Sequence, residues 1–303
     1  MRMPDFFIIG APKCGTTSMA KWLRQHREIY VPEVKEPHYF NTDLDYLNIR
    51  NWDEYTRLFA GAEEHHKAVG EASVFYLYSQ EAVPRIEREI GPARYIVMLR
   101  NPVRMARSLH EQKVFSQNEH IADFSRAWEL SETRRRGDGV SPLCTDPRVL
   151  DYKRVCSLGE QLAGLYRRIP TDRVLTVVLD DVKENARREY LRVLNFLGVP
   201  DDGRRAFPAH NRAKRRRSKT LARLWKMART VKDRLGLPRM NTGILDRLDS
   251  ANRKNHRRAP LQPEMTEKLT NYFAEDVRAL ESLLGRDLSH WLDEQSSVAV
   301  DHK

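Results

Sequence analysis

The chain has 303 residues, 40% hydrophobic and 31% charged, a balance that belongs to folded globular proteins and excludes a disordered or fibrous one. Its 53 lysines and arginines against 42 acids leave a formal charge of +11, which favours anionic partners: nucleotides, acidic polymers, nucleic acid or an anionic membrane surface. The cysteines, Cys14, Cys144 and Cys156, have neither disulfide-framework nor zinc spacing, and the longest N-terminal apolar run (6–11) is too short for a membrane span or signal peptide, so a cytoplasmic setting is expected.

The first apolar run, "DFFIIG" (5–10), predicts a buried strand followed by a helix over about 16–25. "KAVGEAS" (67–73) repeats the pattern with a helix over about 80–90, and "RYIVMLR" (94–100) with a helix starting at Pro102. Two further helical patterns, 121–136 and 150–168, precede "RVLTVVLDD" (173–181), whose helix runs over about 182–197 and closes at Gly198 and Pro200. Beyond 200 the chain turns basic and strand-poor, and a long helix from Leu261 has Pro263 and Glu264 in its first turn and Gly285 at its end.

Continuous apolar strands alternating with amphipathic helices predict an α/β fold with a parallel sheet covered on both faces. The expected architecture is a P-loop-type α/β/α three-layer sandwich with a helical, basic C-terminal part. One domain is expected over 1–303, with a nucleotide-binding core over about 1–200 and the C-terminal part over about 201–303.

Between the first strand and its helix lies "GAPKCGTTS" (10–18). It keeps the glycine spacing of a Walker A loop but has Thr16 where the Walker lysine belongs, and its lysine inside the loop as Lys13. Glycines let the backbone approach an anion, and the helix start supplies unpaired N–H groups and a positive dipole end. Lys13, Thr16 and Thr17 add a cation and two hydroxyls. A triphosphate whose γ-phosphate is transferred fits this loop poorly; a 5′-phosphate carrying another transferable group fits better. The competing reading is a plain Gly/Pro turn before a helix.

In "YIVMLRNPVRMARS" (95–108), Arg100 ends a buried strand and so stands at the carboxyl edge of the sheet, where open α/β folds bind ligands. Ser108 follows about 9 Å along the helix, within joint reach of one anion; the competing reading is a strand-end salt bridge at Arg100 and a helix-surface serine at 108.

These stretches resemble the sulfotransferases that use 3′-phosphoadenosine 5′-phosphosulfate (PAPS). "APKCGTTS" resembles that family's 5′-phosphosulfate loop, and "RNPVRMARS" its 3′-phosphate motif. The resemblance implies that Lys13 contacts the bridging oxygen as the sulfuryl group leaves. It implies that Thr16 and Thr17, with Cys14, Gly15 and Ser18 of the same loop, hold the 5′-phosphate. Arg100 and Ser108 would hold the 3′-phosphate. The order of elements and the tail "LQPEMTEKLTNYFAEDVRALESLLGRDLSHW" look like the bacterial and heparan-sulfate branch. No metal is implied.

"PEVKEPHYFNTD" (32–43) resembles the acceptor-side stretch of that branch, which implies Glu36 as the base and His38 as an assisting or alternative base. In an extended segment 36 and 38 point to one side, so both could face one cleft. Two departures stand out: Ala72 in "GEASVFY" stands where that branch often carries a lysine, so a second cation is missing or comes from elsewhere, and Asn41 replaces an aspartate. Cys14 is expected to be a small loop filler rather than a nucleophile.

The basic stretches 212–219 and 253–258 are either solvated charge, a flap over the 3′-phosphate that includes Lys254, Arg257 and Arg258, or a track for an acidic acceptor. The resulting expectation is a PAPS-dependent sulfotransferase, with PAP as product and a hydroxyl or amine acceptor on a carbohydrate, glycolipid, phenol or natural product. The alternatives are an atypical P-loop kinase and a basic nucleic-acid-binding protein, the latter lacking the interleaved aromatics of a single-strand platform.

Overall fold

The computed structural model describes residues 2–46, 48–210 and 260–293, together with the backbone of two short strands within 211–259. Its centre is a parallel sheet of β1 (Phe6–Gly10), β2 (Ile29–Tyr30), β3 (Ala68–Ala72), β4 (Arg94–Leu99) and β5 (Val174–Val178), in the order β2-β3-β1-β4-β5. β1 and β3 are buried along their whole length, as an apolar strand covered on both faces must be. Phe6 lies opposite Gly70, where a Cβ would stand 2.0 Å from the ring; the glycine makes room for the aromatic side chain.

The helices are α1 (Thr16–Arg24), α2 (Trp52–Arg57), α3 (Ala82–Glu89), α4 (Pro102–Phe115), α5 (Phe124–Glu129), α6 (Tyr152–Cys156), α7 (Leu158–Tyr166), α8 (Leu179–Glu184), α9 (Ala186–Leu197) and α10 (Pro263–Leu284). α4 starts as its sequence predicts: Pro102 occupies the first turn and the Asn101 side chain accepts the N–H of Val103 at 2.9 Å. α10 ends at Gly285, left-handed at φ 59.

Three expectations are corrected. The fourth strand stops at Val178, because Leu179–Asp181 already belong to α8, where Asp180 and Asp181 suit the first turn of a helix. The single helix expected after it is two, divided at Asn185, whose side chain caps α9 by accepting the N–H of Arg188 at 2.9 Å. The patterns at 121–136 and 150–168 are short helical pieces instead of two long helices, broken where Asp151 and Ser157 stand at helix starts.

α10 packs on α7 and α4, and Asp276 on α10 accepts the N–H of Gly159 at 2.9 Å and of Glu160 at 3.0 Å. Its Leu269, Phe273, Val277 and Leu280 join the same buried cluster as the sheet side chains. The two basic stretches contribute an antiparallel pair, β6 (Lys214–Arg216) with β7 (Arg253–Asn255), and β6 adjoins α4.

Candidate active site

Three segments meet at the carboxyl edge of the sheet. The first is the loop 10–15 between β1 and α1. Gly15 caps α1 in a left-handed conformation, φ 90, and a Cβ there would meet the Leu179 side chain at 2.8 Å. With no side chain at the cap and no acid in the first turn, the helix presents its N–H groups and positive end to the loop. Lys13 is itself left-handed at φ 68, a conformation unusual for a residue with a side chain.

Arg100, 6% exposed at the end of β4, donates from a terminal guanidinium nitrogen to the Lys13 carbonyl at 3.1 Å. The loop and the strand-end arginine predicted separately from sequence are therefore in contact. Cys14 lies beneath them, fully buried; burial pushes its thiol up to about 12, against the pull of the Arg100 and Lys13 charges. It is a packing group, as expected, and its sulfur contacts that of Met105 at 3.7 Å. Thr16 is buried, Thr17 half-buried and Ser108 buried on α4. The Ser18 hydroxyl accepts the N–H of His210 at 3.0 Å, which ties the chain beyond 200 to α1. Lys254 pairs through its backbone with Arg215 in the β6–β7 ladder; its side chain, and Arg257 and Arg258 altogether, lie outside the described residues.

The third segment follows β2. The N–H of Glu36 bonds to the carbonyl of Ala72 at 2.9 Å, which brings the segment to the end of β3. Glu36 and His38 do not alternate as in a strand: both are left-handed, φ 62 and φ 49. Their side chains nevertheless converge, with His38 Nε2 3.7 Å from Glu36 Oε2. His38 is fully buried, whereas the Glu36 side chain is 27% exposed, so the carboxylate is the member that faces outward. Burial raises the Glu36 carboxyl, but the paired Lys35 ammonium and the neighbouring His38 imidazole outweigh it and hold the group well below the usual carboxylate range.

Asn41, read from sequence as a departure, is the partner of His38: its Oδ1 faces His38 Nδ1 at 3.1 Å, while its amide donates to the Tyr46 carbonyl at 3.3 Å. With the Asn41 amide donating to Tyr46, Nδ1 is the donor in that bond, and Nε2 faces Glu36. Lys113 of α4 is a further residue that sequence reasoning missed. It is 2% exposed, with its ammonium 4.6 Å from the Tyr46 ring centroid and 4.7 Å from that of Phe75. Both rings pack on His38, at 5.1 Å and 5.7 Å. Ala72, where the resembled branch often carries a lysine, is buried in β3, and the cation beside this cluster is that of Lys113 on α4. Among the described residues no group of three or more His, Cys, Asp or Glu side chains is arranged to hold a metal ion, and no helix is long and apolar enough to cross a membrane.

A parallel sheet flanked by helices, with the loop 10–15 at its carboxyl edge, is a P-loop-type α/β fold. The chain belongs to the sulfotransferase family: the model of the sulfotransferase domain matches residues 3–281. A crystal structure of a sulfotransferase from Alicyclobacillus acidocaldarius superposes with a TM-score of 0.71 and 27% identity, over 97% of this chain and all (100%) of that one. The membrane-associated sulfotransferase kil1 of Dictyostelium discoideum is 35% identical over 106 residues, 33% of this chain and 21% of that protein. Carbohydrate sulfotransferase 15 of Homo sapiens is 50% identical over 38 residues, 12% of this chain and 7% of that protein. The chain thus matches about a fifth or less of the length of these curated relatives.

Proposed function

We propose that this sulfotransferase takes its sulfuryl group from PAPS and delivers it to a hydroxyl or amine of an acceptor, with a carbohydrate hydroxyl as the leading candidate. The observation that carries the reading is the bond from the Arg100 guanidinium to the Lys13 carbonyl, which ties the arginine at the end of β4 to the loop at the start of α1. PAPS carries two phosphate groups on its adenosine and fits a site with two cationic contacts; ATP gives Arg100 and Ser108 no 3′-phosphate to hold. The acceptor reading draws on the short match to a protein named a carbohydrate sulfotransferase.

In the reaction, the acceptor oxygen or nitrogen forms a bond to sulfur, and the bond from sulfur to the bridging phosphate oxygen breaks, leaving its electron pair on the bisphosphate product. Lys13 and the N–H groups of α1 stabilise that developing charge. Glu36, ionised and outward-facing, takes the acceptor proton; His38, fixed by Asn41, supports it from the buried side. Lys113 supplies the second cation of the acceptor side. The basic stretches around β6 and β7 serve as a flap on the nucleotide, with β6 beside the helix that carries Ser108. The shared core of α10 and the sheet supports a single domain, and cysteines at 14, 144 and 156 without disulfide-framework spacing suit a cytoplasmic setting.

Calorimetry with 3′,5′-adenosine bisphosphate (PAP) against ATP tests the donor. PAP is expected to bind and ATP to bind more weakly; tighter ATP binding would refute the reading. Transfer of labelled sulfuryl group from PAPS to a panel of oligosaccharides and phenols tests the acceptor, and labelling of phenols alone would exclude the sugar.

A further inference from the structure

The proposed chemistry leaves several buried carboxylates unused, Glu71 among them. Glu71 on β3 is 2% exposed, and its Oε2 accepts the hydroxyl of Tyr55 from α2 at 2.9 Å and that of Tyr76 at 3.1 Å. The Tyr76 oxygen in turn accepts the backbone N–H of Tyr39 at 3.0 Å and of Phe40 at 3.3 Å. A phenol has one proton and two lone pairs, so these three bonds coexist only while the Tyr76 proton points at Glu71. The Ser73 hydroxyl, which also lowers the Glu71 carboxyl, accepts the N–H of His38 at 3.0 Å. Three successive amides, those of residues 38–40, thus rest on hydroxyls that face one carboxylate.

We propose that Glu71 is a positioning residue: ionised, it orients Tyr76 and Ser73 as acceptors for the amides of residues 38–40, and so holds the left-handed backbone that aims His38 Nε2 at Glu36. The assignment rests on the reading of Glu36 and His38 as the proton acceptor pair. The groups that face Glu71 are Tyr55 from α2, Ser73 and Tyr76 from the segment after β3, and the charge of Lys35; on β1 its register partner is the apolar Phe7. Burial pushes the Glu71 carboxyl up to about 7, against the hydroxyls of Ser73, Tyr55 and Tyr76, which places the change of hydroxyl orientation near neutral pH. Protonated Glu71 no longer requires the Tyr76 proton, and the hold on the two amides loosens.

The test follows the Tyr39 and Phe40 amide resonances of the full ¹⁵N-labelled chain, without donor or acceptor, between about pH 5 and pH 9. Both are expected to titrate with a midpoint near the Glu71 value of about 7, and Glu71→Gln is expected to abolish that titration with PAP binding retained. Tyr55→Phe removes one donor to the ionised form and should move the midpoint upward. Amides that do not titrate in the parent, or titrate unchanged in Glu71→Gln, would overturn the proposal. Should Glu71→Gln not fold, an unmoved midpoint in Tyr55→Phe overturns it equally. Failure of PAP to bind the parent chain would instead refute the donor reading and leave this titration unaffected.

Discussion

His38 Nε2 stands 3.7 Å from Glu36 Oε2, and both residues hold left-handed backbone angles. Such conformations cost on the order of 1–3 kcal/mol each outside glycine, and they persist only where surrounding bonds impose them. Here the Glu36 N–H is bound to Ala72 and the His38 N–H to Ser73. Glu36→Gln keeps the shape and removes the charge. It is expected to lower sulfuryl transfer by roughly 10²- to 10⁴-fold while leaving the calorimetric affinity for PAP in place. Near-normal transfer would move the proton acceptor elsewhere.

Arg100→Ala removes a buried cation next to the loop carbonyl of Lys13. Loss of a charge-assisted contact is worth about 1.5–3 kcal/mol, so PAP affinity should fall roughly 10- to 150-fold. Lys13→Ala should depress turnover more than affinity, because its contact strengthens as charge develops on the leaving oxygen. Isothermal calorimetry and transfer assays on the two variants separate these effects; unchanged PAP binding in Arg100→Ala would remove the 3′-phosphate assignment.

Lys113→Met keeps most of the side-chain volume between the Tyr46 and Phe75 rings and deletes the charge. Transfer is expected to fall by about 10-fold or more with PAP binding retained, as for loss of one stabilising donor. Equal loss of both would mark Lys113 as a packing residue, so the comparison of turnover with PAP affinity is the deciding measurement.

Glu36 and Glu71 impose opposite pH dependences on stability. The folded Glu36 carboxyl is held below its unfolded value near pH 4.3, so its stabilisation is present above that pH and is lost as pH falls. Glu71 is raised to about 7 in the fold, so the folded state binds its proton more tightly. Its contribution therefore declines as pH rises from about 4.3 toward neutrality. Thermal melts across pH should show Glu36→Gln flattening the acid-side loss and Glu71→Gln flattening the decline toward neutral pH. A parent-like curve from either variant would contradict the corresponding shift.

Much of the fold was legible because a parallel strand buried on both faces must be an unbroken apolar run, as in "FFIIG" and "YIVML". The two-residue β2 carries no period and could not be read, and the six-residue α2, capped by Asn51, is nearly as short. At the site, Lys13 and Arg100 were legible because each lies within three residues of a strand's carboxyl end, and strand ends of one sheet share an edge. Asn41 was not: an amide in place of an acid reads as a loss until its Oδ1 is seen against His38 Nδ1. Lys113 was not either, since a lysine on an amphipathic helix reads as solvated, and its rings come from residues 46 and 75.

The sequence by itself determined the order of the four longer strands and the helices that follow them, and it placed a glycine loop with an internal lysine after the first strand. Local pattern suffices for these, because each is set within one strand–loop–helix unit. Only the tertiary structure decided that Glu36 faces outward with His38 behind it, that Asn41 orients the imidazole, and that Glu71 and Tyr76 secure the intervening backbone. Those relationships join β3, the segment after it and the segment 35–41, and burial together with hydrogen-bond geometry across them has no signature in any one stretch of chain.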